Sequence, residues 1–184
     1  RACGTVLLTE LDEATVKEWT TGKPNDTEMK IRMKGGSIVQ LMGSDNCDSM
    51  VGTNPVGIVY SEFALQDPMA WEIMRPILME NGGWAAFLTT PRGHNHAWDL
   101  RNIALASPSL WHYRELGIDK TKRADGSPVV SEAQYLEEIA NGMDEDLAKQ
   151  EYKVSWEGPN QGSYWGRWME NARQDGHITR VPHD

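Results

Sequence analysis

Two short stretches carry residue types from which a reaction can be built. Val56-Gly57-Ile58-Val59-Tyr60-Ser61-Glu62 runs apolar and then stops on a hydroxyl and an acid. WAAFLTT, residues 84–90, runs apolar and then stops on the paired hydroxyls of Thr89 and Thr90. A carboxylate can polarise an attacking water, and a hydroxyl beside it can sense a terminal phosphate or that water. An acid on one strand and two hydroxyls on the next therefore suit a nucleoside triphosphate. The plain alternatives are a solvated strand-end acid at Glu62 and β-branched strand filler at Thr89-Thr90. His94 and His96 are a third candidate, for a metal-dependent hydrolase. Paired histidines at that spacing can chelate on a strand, but these sit in a glycine-containing loop with no third ligand nearby.

The elements that must position these residues follow from periodicity. VGIVY is short, apolar and rich in β-branched residues, as in a buried parallel strand. Asp67-Pro68 offers a cap and a first-turn proline for a helix with Ala70, Trp71, Ile73, Met74, Ile77 and Leu78 on its apolar side. Pro76 is expected to kink or divide that helix, and Gly82-Gly83 to end it before the 84–90 strand. Strand, helix and strand at this length make a βαβ crossover, which brings two parallel strand ends to one edge roughly 4.8 Å apart. Ligands bind at that edge of open α/β sheets.

The rest of the chain reads similarly. Residues 11–20 are expected as a helix, 29–34 as a strand with Lys30, Arg32 and Lys34 on one face, and 37–42 as its hairpin partner across Gly35-Gly36. HAWDLRNIALA reads as a helix and residues 111–116 as a third strand. Ser131 to Gln134 forms a capping-box start, Asp144 caps a short helix, and 152–157 reads as a further strand. A last helix closes at Gly176. Lys120, Lys122 and Arg123 lie in a polar loop, either solvated or touching DNA.

Composition sets the frame. The chain has 184 residues, 39% hydrophobic and 24% charged, enough for one domain with a buried core. A net charge of −9 argues against a surface devoted to wrapping nucleic acid. The eight tryptophans read as core or interface anchors. Cys3 and Cys47 fit neither a disulfide framework nor a metal knuckle and read as free thiols of a cytoplasmic protein. No apolar run is long enough to span a membrane, and RACGTVLLTELDE lacks the marks of a secretory signal.

In order and spacing, the segments LMGSDNCDSMVGTNPVGIVYSEFALQDPMAW, RPILMENGGWAAFLTTPRGHNHAWDL, GMDEDLAKQEYKVSWEG and GSYWGRWMENARQDGHITRVPHD resemble the large subunit of the tailed-phage terminase, the ATP-driven motor that packages double-stranded DNA. GIVYSE resembles its Walker B strand and TTPRGHNH its coupling motif with the following Asn-His pair. The resemblance implies an α/β, P-loop NTPase-like fold of the RecA/ASCE type with a mostly parallel sheet. That sheet would be incomplete on its N-terminal side and followed by a small C-terminal α/β extension. By it, residues 1–116 are the second half of an ATPase domain, 117–157 an extension closing that domain, and 158–184 a linker toward a missing nuclease domain. Glu62 would be the catalytic carboxylate, and Ser61 would stand where an Asp often holds the Mg²⁺ shell. Thr89, Thr90 and Pro91 would form the coupling segment, with Asn95 and His96 supporting it.

The departures are specific. No G-x-x-x-x-G-K-[ST] occurs, and TTGKPND lacks its first glycine. Val51 stands where many terminases carry an arginine, and the nuclease acids would be expected after a VPYDP-like linker, whereas the sequence stops at VPHD. The resemblance thus implies ATP and Mg²⁺ as cofactors, and double-stranded DNA, the portal and the small terminase subunit as partners, for the intact parent in the host cytoplasm. The chain alone is expected to be a poor ATPase or none, and no nuclease. The competing expectation is a standalone remnant that keeps the fold and acts by binding a partner or by self-association.

Overall fold

The computed structural model describes residues 17–22, 25, 27–44, 50–157 and 166–178. Cys3, Cys47, the first six residues of the expected 11–20 helix and the terminal VPHD lie outside them; residues 17–19 are helical, as expected. The chain divides into two compact units. One takes residues 1–56 and 66–84, the other 57–65 and 85–184.

In the first unit, β1 (Lys30–Arg32) pairs antiparallel with β2 (Ile38–Gln40), with Ile31 opposite Val39. The expected two-residue Gly-Gly link is a three-residue loop. Met33 N–H donates to Ser37 O, and Gly36 takes a φ of 86° that only glycine adopts freely. Met29, at φ 51°, stands outside the strand expected to include it. Helix α1 (Met69–Glu80) buries Ala70, Met74 and Leu78 on one stripe. Asp67 Oδ1 accepts from Met69 N–H, so Asp67 caps the helix and Pro68 opens it. Pro76 does not divide the helix, which is continuous through it. The ring removes one ladder donor, and the apolar stripe on both sides holds the remaining turns. Gly83 ends the turn beyond α1 tightly against Val56 O and Leu78.

In the second unit, β3 (Gly57–Ser61) lies beside β4 (Trp84–Leu88), whose first residue belongs to the first unit, as a parallel pair. Then come α2 (His96–Ala106), α3 (Glu132–Ala140), α4 (Glu145–Lys153) and α5 (Gly166–Gln174). Among the described residues each sheet has two strands, so β3 is not the fully buried strand its composition suggests. Val59 is 55% exposed and Leu88 58%. The physical reason is that a strand in a pair has fewer neighbours to cover its faces.

Two expected strands are absent. Residues 111–116 carry no ladder among the described residues. Side chains fix them instead: Arg101 Nε donates to Tyr113 Oη at 3.0 Å and to Glu115 Oε1 at 3.1 Å, and Tyr113 donates to Glu115. In 152–157 the alternation of Tyr152, Val154 and Trp156 mimics a strand, but α4 runs through Lys153. Val154 then closes it in the left-handed region at φ 59°. A single backbone bond, Ile118 N–H to Tyr152 O, stands where a ladder was expected.

The caps fall where the sequence puts them. Ser131 and Gln134 exchange both bonds of the capping box, and Asp144 Oδ1 accepts from Asp146 and Leu147 N–H. His177 N–H reaches Ala172 O across Gly176, closing α5 as a Schellman turn. No helix among the described residues is long and apolar enough to cross a membrane.

Candidate functional site

The candidate residues of the sequence converge in the second unit, on the turn that follows β3. Tyr60, the last inward residue of that strand, is 3% exposed and stacks on Phe87 of β4, centroids 4.9 Å apart and planes 5° off parallel. Phe63 meets Phe87 edge-on at 4.7 Å and is itself 2% exposed. These are the two phenylalanines of the chain, and they anchor the two strand ends to each other. Burying one such ring contributes about 1.5–3 kcal/mol, so Phe63 fixes the turn's position.

Between Tyr60 and Phe63 stand the two residues of interest. Ser61 ends β3 with its side chain exposed, and Glu62, also exposed, has left the strand with φ 57°. A non-glycine residue in that region costs about 1–2 kcal/mol, and such strain persists only where the surroundings over-determine it. Here they do. Leu65 N–H donates to Glu62 O at 2.9 Å and closes a short 3₁₀ turn over Phe63–Leu65.

Three side chains from the other motif hold that turn. Thr89 Oγ1 accepts Ala64 N–H at 2.9 Å while donating to Thr90 O at 3.0 Å. Asn95 Nδ2 donates to Ala64 O at 3.0 Å, and Asn95 Oδ1 caps α2 by accepting Ala97 N–H at 3.0 Å. His96 Nε2–H donates to Phe63 O at 2.8 Å, and its ring meets Phe63 edge-on at 4.8 Å. Three bonds at about 1 kcal/mol each are enough to offset the cost of the left-handed residue. Pro91 is fully buried beside them in sequence, and Thr90 is half-buried.

His94 and His96 do not work as a pair. His94 stacks on Trp98 at 4.3 Å, whereas His96 is committed to Phe63. No group of three or more His, Cys, Asp or Glu suited to a metal occurs among the described residues. Arg123 is not a free basic side chain, since its guanidinium donates to Pro128 O and Val129 O and closes its own loop.

Sequence reasoning gave Asn95 and His96 a supporting place without their bonds. Asn95 directly before a helical run was a readable cap signal; its reach to Ala64, 31 positions away, was not. The Arg101–Tyr113–Glu115 cluster was missed outright. There the Tyr113 hydroxyl bond, more than any other cause, holds the Glu115 carboxyl below its usual range, with Arg101 adding to it. Burial, helped by the Glu115 carboxylate, pushes the Tyr113 hydroxyl up.

No protein-family model matches the chain, and no curated protein does. Two solved structures are similar to it, both of the ATPase domain of the large terminase of Thermus phage P74-26. An arginine-to-alanine mutant of that domain gives a TM-score of 0.50 at 18% identity, and the unmutated domain 0.49 at 17%. In each the match covers 78% of this chain and 66% of the other, so the chain spans just under two thirds of those structures. At such identity the likeness is one of fold: this chain folds as part of a large-terminase ATPase domain does.

Proposed function

We propose that the chain is the Walker B and coupling-motif segment of a phage or prophage terminase large subunit, a motor that hydrolyses ATP to drive double-stranded DNA into procapsids. Glu62 is its general base, polarising the attacking water. Ser61 and Glu62 supply oxygen donors at the strand end, a set that suits the outer shell of Mg²⁺. Mg²⁺ held there would supply neutralisation of phosphate charge. Thr89, Thr90 and Pro91 join that edge to the segment that moves when the γ-phosphate leaves.

The observation that carries this reading is the bond from Ala64 N–H to Thr89 Oγ1. It ties the turn bearing the exposed Glu62 to the Thr-Thr end of the neighbouring parallel strand. An acid at one strand end beside the Thr-Thr end of the next suits water-mediated phosphoryl transfer, with the Thr89 hydroxyl spent as a backbone tie rather than a phosphate contact.

Because the G-x-x-x-x-G-K-[ST] motif is not among these 184 residues, the test uses the full-length product of the gene. Glu62→Gln is expected to lower ATP turnover by about 10²–10⁴-fold, the usual share of a general base, with ATP binding retained. Turnover equal to that of the unsubstituted protein would overturn the assignment.

A further inference from the structure

We infer that Asn95 and His96 are positioning residues for Glu62, acting through the backbone of the turn that carries it; the inference rests on Glu62 being the working carboxylate. Both backbone polar groups of Ala64, and the Phe63 carbonyl, are taken by side chains of the 89–96 segment. Glu62 itself, one residue earlier, holds φ 57° without the glycine or asparagine that ordinarily occupies that region. The side chains therefore choose the backbone conformation, and that conformation aims the carboxylate.

Asn95 has a double commitment that makes it the hub. Its oxygen caps α2 while its nitrogen holds Ala64, so the start of α2 and the Glu62 turn are set by one amide plane. A shift of α2 relative to the turn has to break one of those bonds. His96, the first residue of α2, repeats the linkage one carbonyl earlier and adds ring contact with Phe63. Glu62 thus leaves its left-handed state when α2 is displaced, and returns to it when the two bonds re-form.

Two substitutions separate the tether from ordinary packing. Asn95→Asp keeps an oxygen to cap α2 and loses the donor to Ala64. His96→Phe keeps the ring against Phe63 and loses the donor to its carbonyl. The readout is the Glu62 backbone itself, by the amide–Hα scalar coupling and the ¹³Cα shift in the 184-residue chain, with circular dichroism confirming that α2 persists. The unsubstituted chain and Glu62→Gln are expected to show a left-handed residue at 62, and the double variant Asn95→Asp/His96→Phe an averaged one. Asn95→Asp alone serves should the double variant fail to fold. A left-handed Glu62 persisting in the variants overturns the inference.

In the full-length protein the same variants are expected to lower kcat on the order of 10²-fold, the effect of a misplaced catalytic group, with KM for ATP little changed. Loss of the left-handed signature with unchanged turnover also overturns it as a positioning role. Should Glu62→Gln leave turnover intact, the failure belongs to the catalytic assignment instead, because the backbone readout needs no nucleotide.

Discussion

Thr89 Oγ1 stands 2.9 Å from the amide nitrogen of Ala64, twenty-five positions earlier in the chain, and is the acceptor that the buried Ala64 uses. Thr89→Val keeps the shape of the side chain and removes that acceptor, leaving a buried N–H without a partner. The expected loss is about 1–3 kcal/mol, read as a lower urea midpoint at unchanged m. Thr89→Ser, which restores the acceptor, should recover most of it. A Thr89→Val protein as stable as the parent would show that the bond contributes nothing net.

Gly82 and Gly83 are adjacent glycines kept for different reasons, and alanine at each should fail differently. At Gly83 a Cβ would stand 2.7 Å from Val56 O and 2.9 Å from Leu78 Cδ2, so Gly83→Ala forces backbone apart and costs about 1–3 kcal/mol. Gly82 faces open space at φ 60°, so Gly82→Ala costs about 1–2 kcal/mol through conformation alone. Asparagine, which tolerates that φ, should be milder at Gly82 and worse at Gly83. Thermal unfolding of the four variants orders them.

The Arg101–Tyr113–Glu115 cluster sets a pH signature. The folded Glu115 carboxyl is held below its usual value, so its contribution is present above the unfolded pKa. It is lost as pH falls through the folded one. The Tyr113 hydroxyl is pushed above 10.0, so its contribution is complete below that value and lost as pH rises through the folded pKa. Tyr113→Phe removes the largest cause of the Glu115 shift. The stability lost between about pH 5 and pH 2 should therefore be smaller in the variant, in urea titrations across that range.

Ser131→Ala removes a hydroxyl that accepts Gln134 N–H and so opens the capping box of α3. The expected cost is about 0.5–2 kcal/mol, with Ser131→Asp close to neutral. Protease cleavage within 132–140 should rise in the alanine variant if α3 frays from this end.

Local chemistry was legible; competition between distant segments was not. Ser131, Asp144 and Gly176 act within a few residues of themselves: the first two start a helix and the third ends one, where a side chain or freedom at positive φ demands. Residues 152–157 misled because apolar alternation says nothing about a cap eight positions upstream. Asp144 starts a helix whose momentum carries it through Lys153. Residues 111–116 have the composition of a strand but find side chains where a strand would find a neighbour. Within the site, the acid, the hydroxyls and the Asn-His pair could be named from sequence. The left-handed backbone at Glu62 could not, because Glu is an ordinary residue for an extended strand. What bends it is a set of bonds to Phe63 and Ala64 from residues 25 to 33 positions later than those two.

A carbonyl oxygen can only accept a hydrogen bond, so the contact between His96 and Phe63 O fixes which ring nitrogen bears the proton. In the neutral ring that nitrogen is Nε2, and Nδ1 keeps the lone pair. The imidazole thus grips the backbone through a donor whose tautomer the carbonyl itself selects, which makes His96 an anchor for the turn.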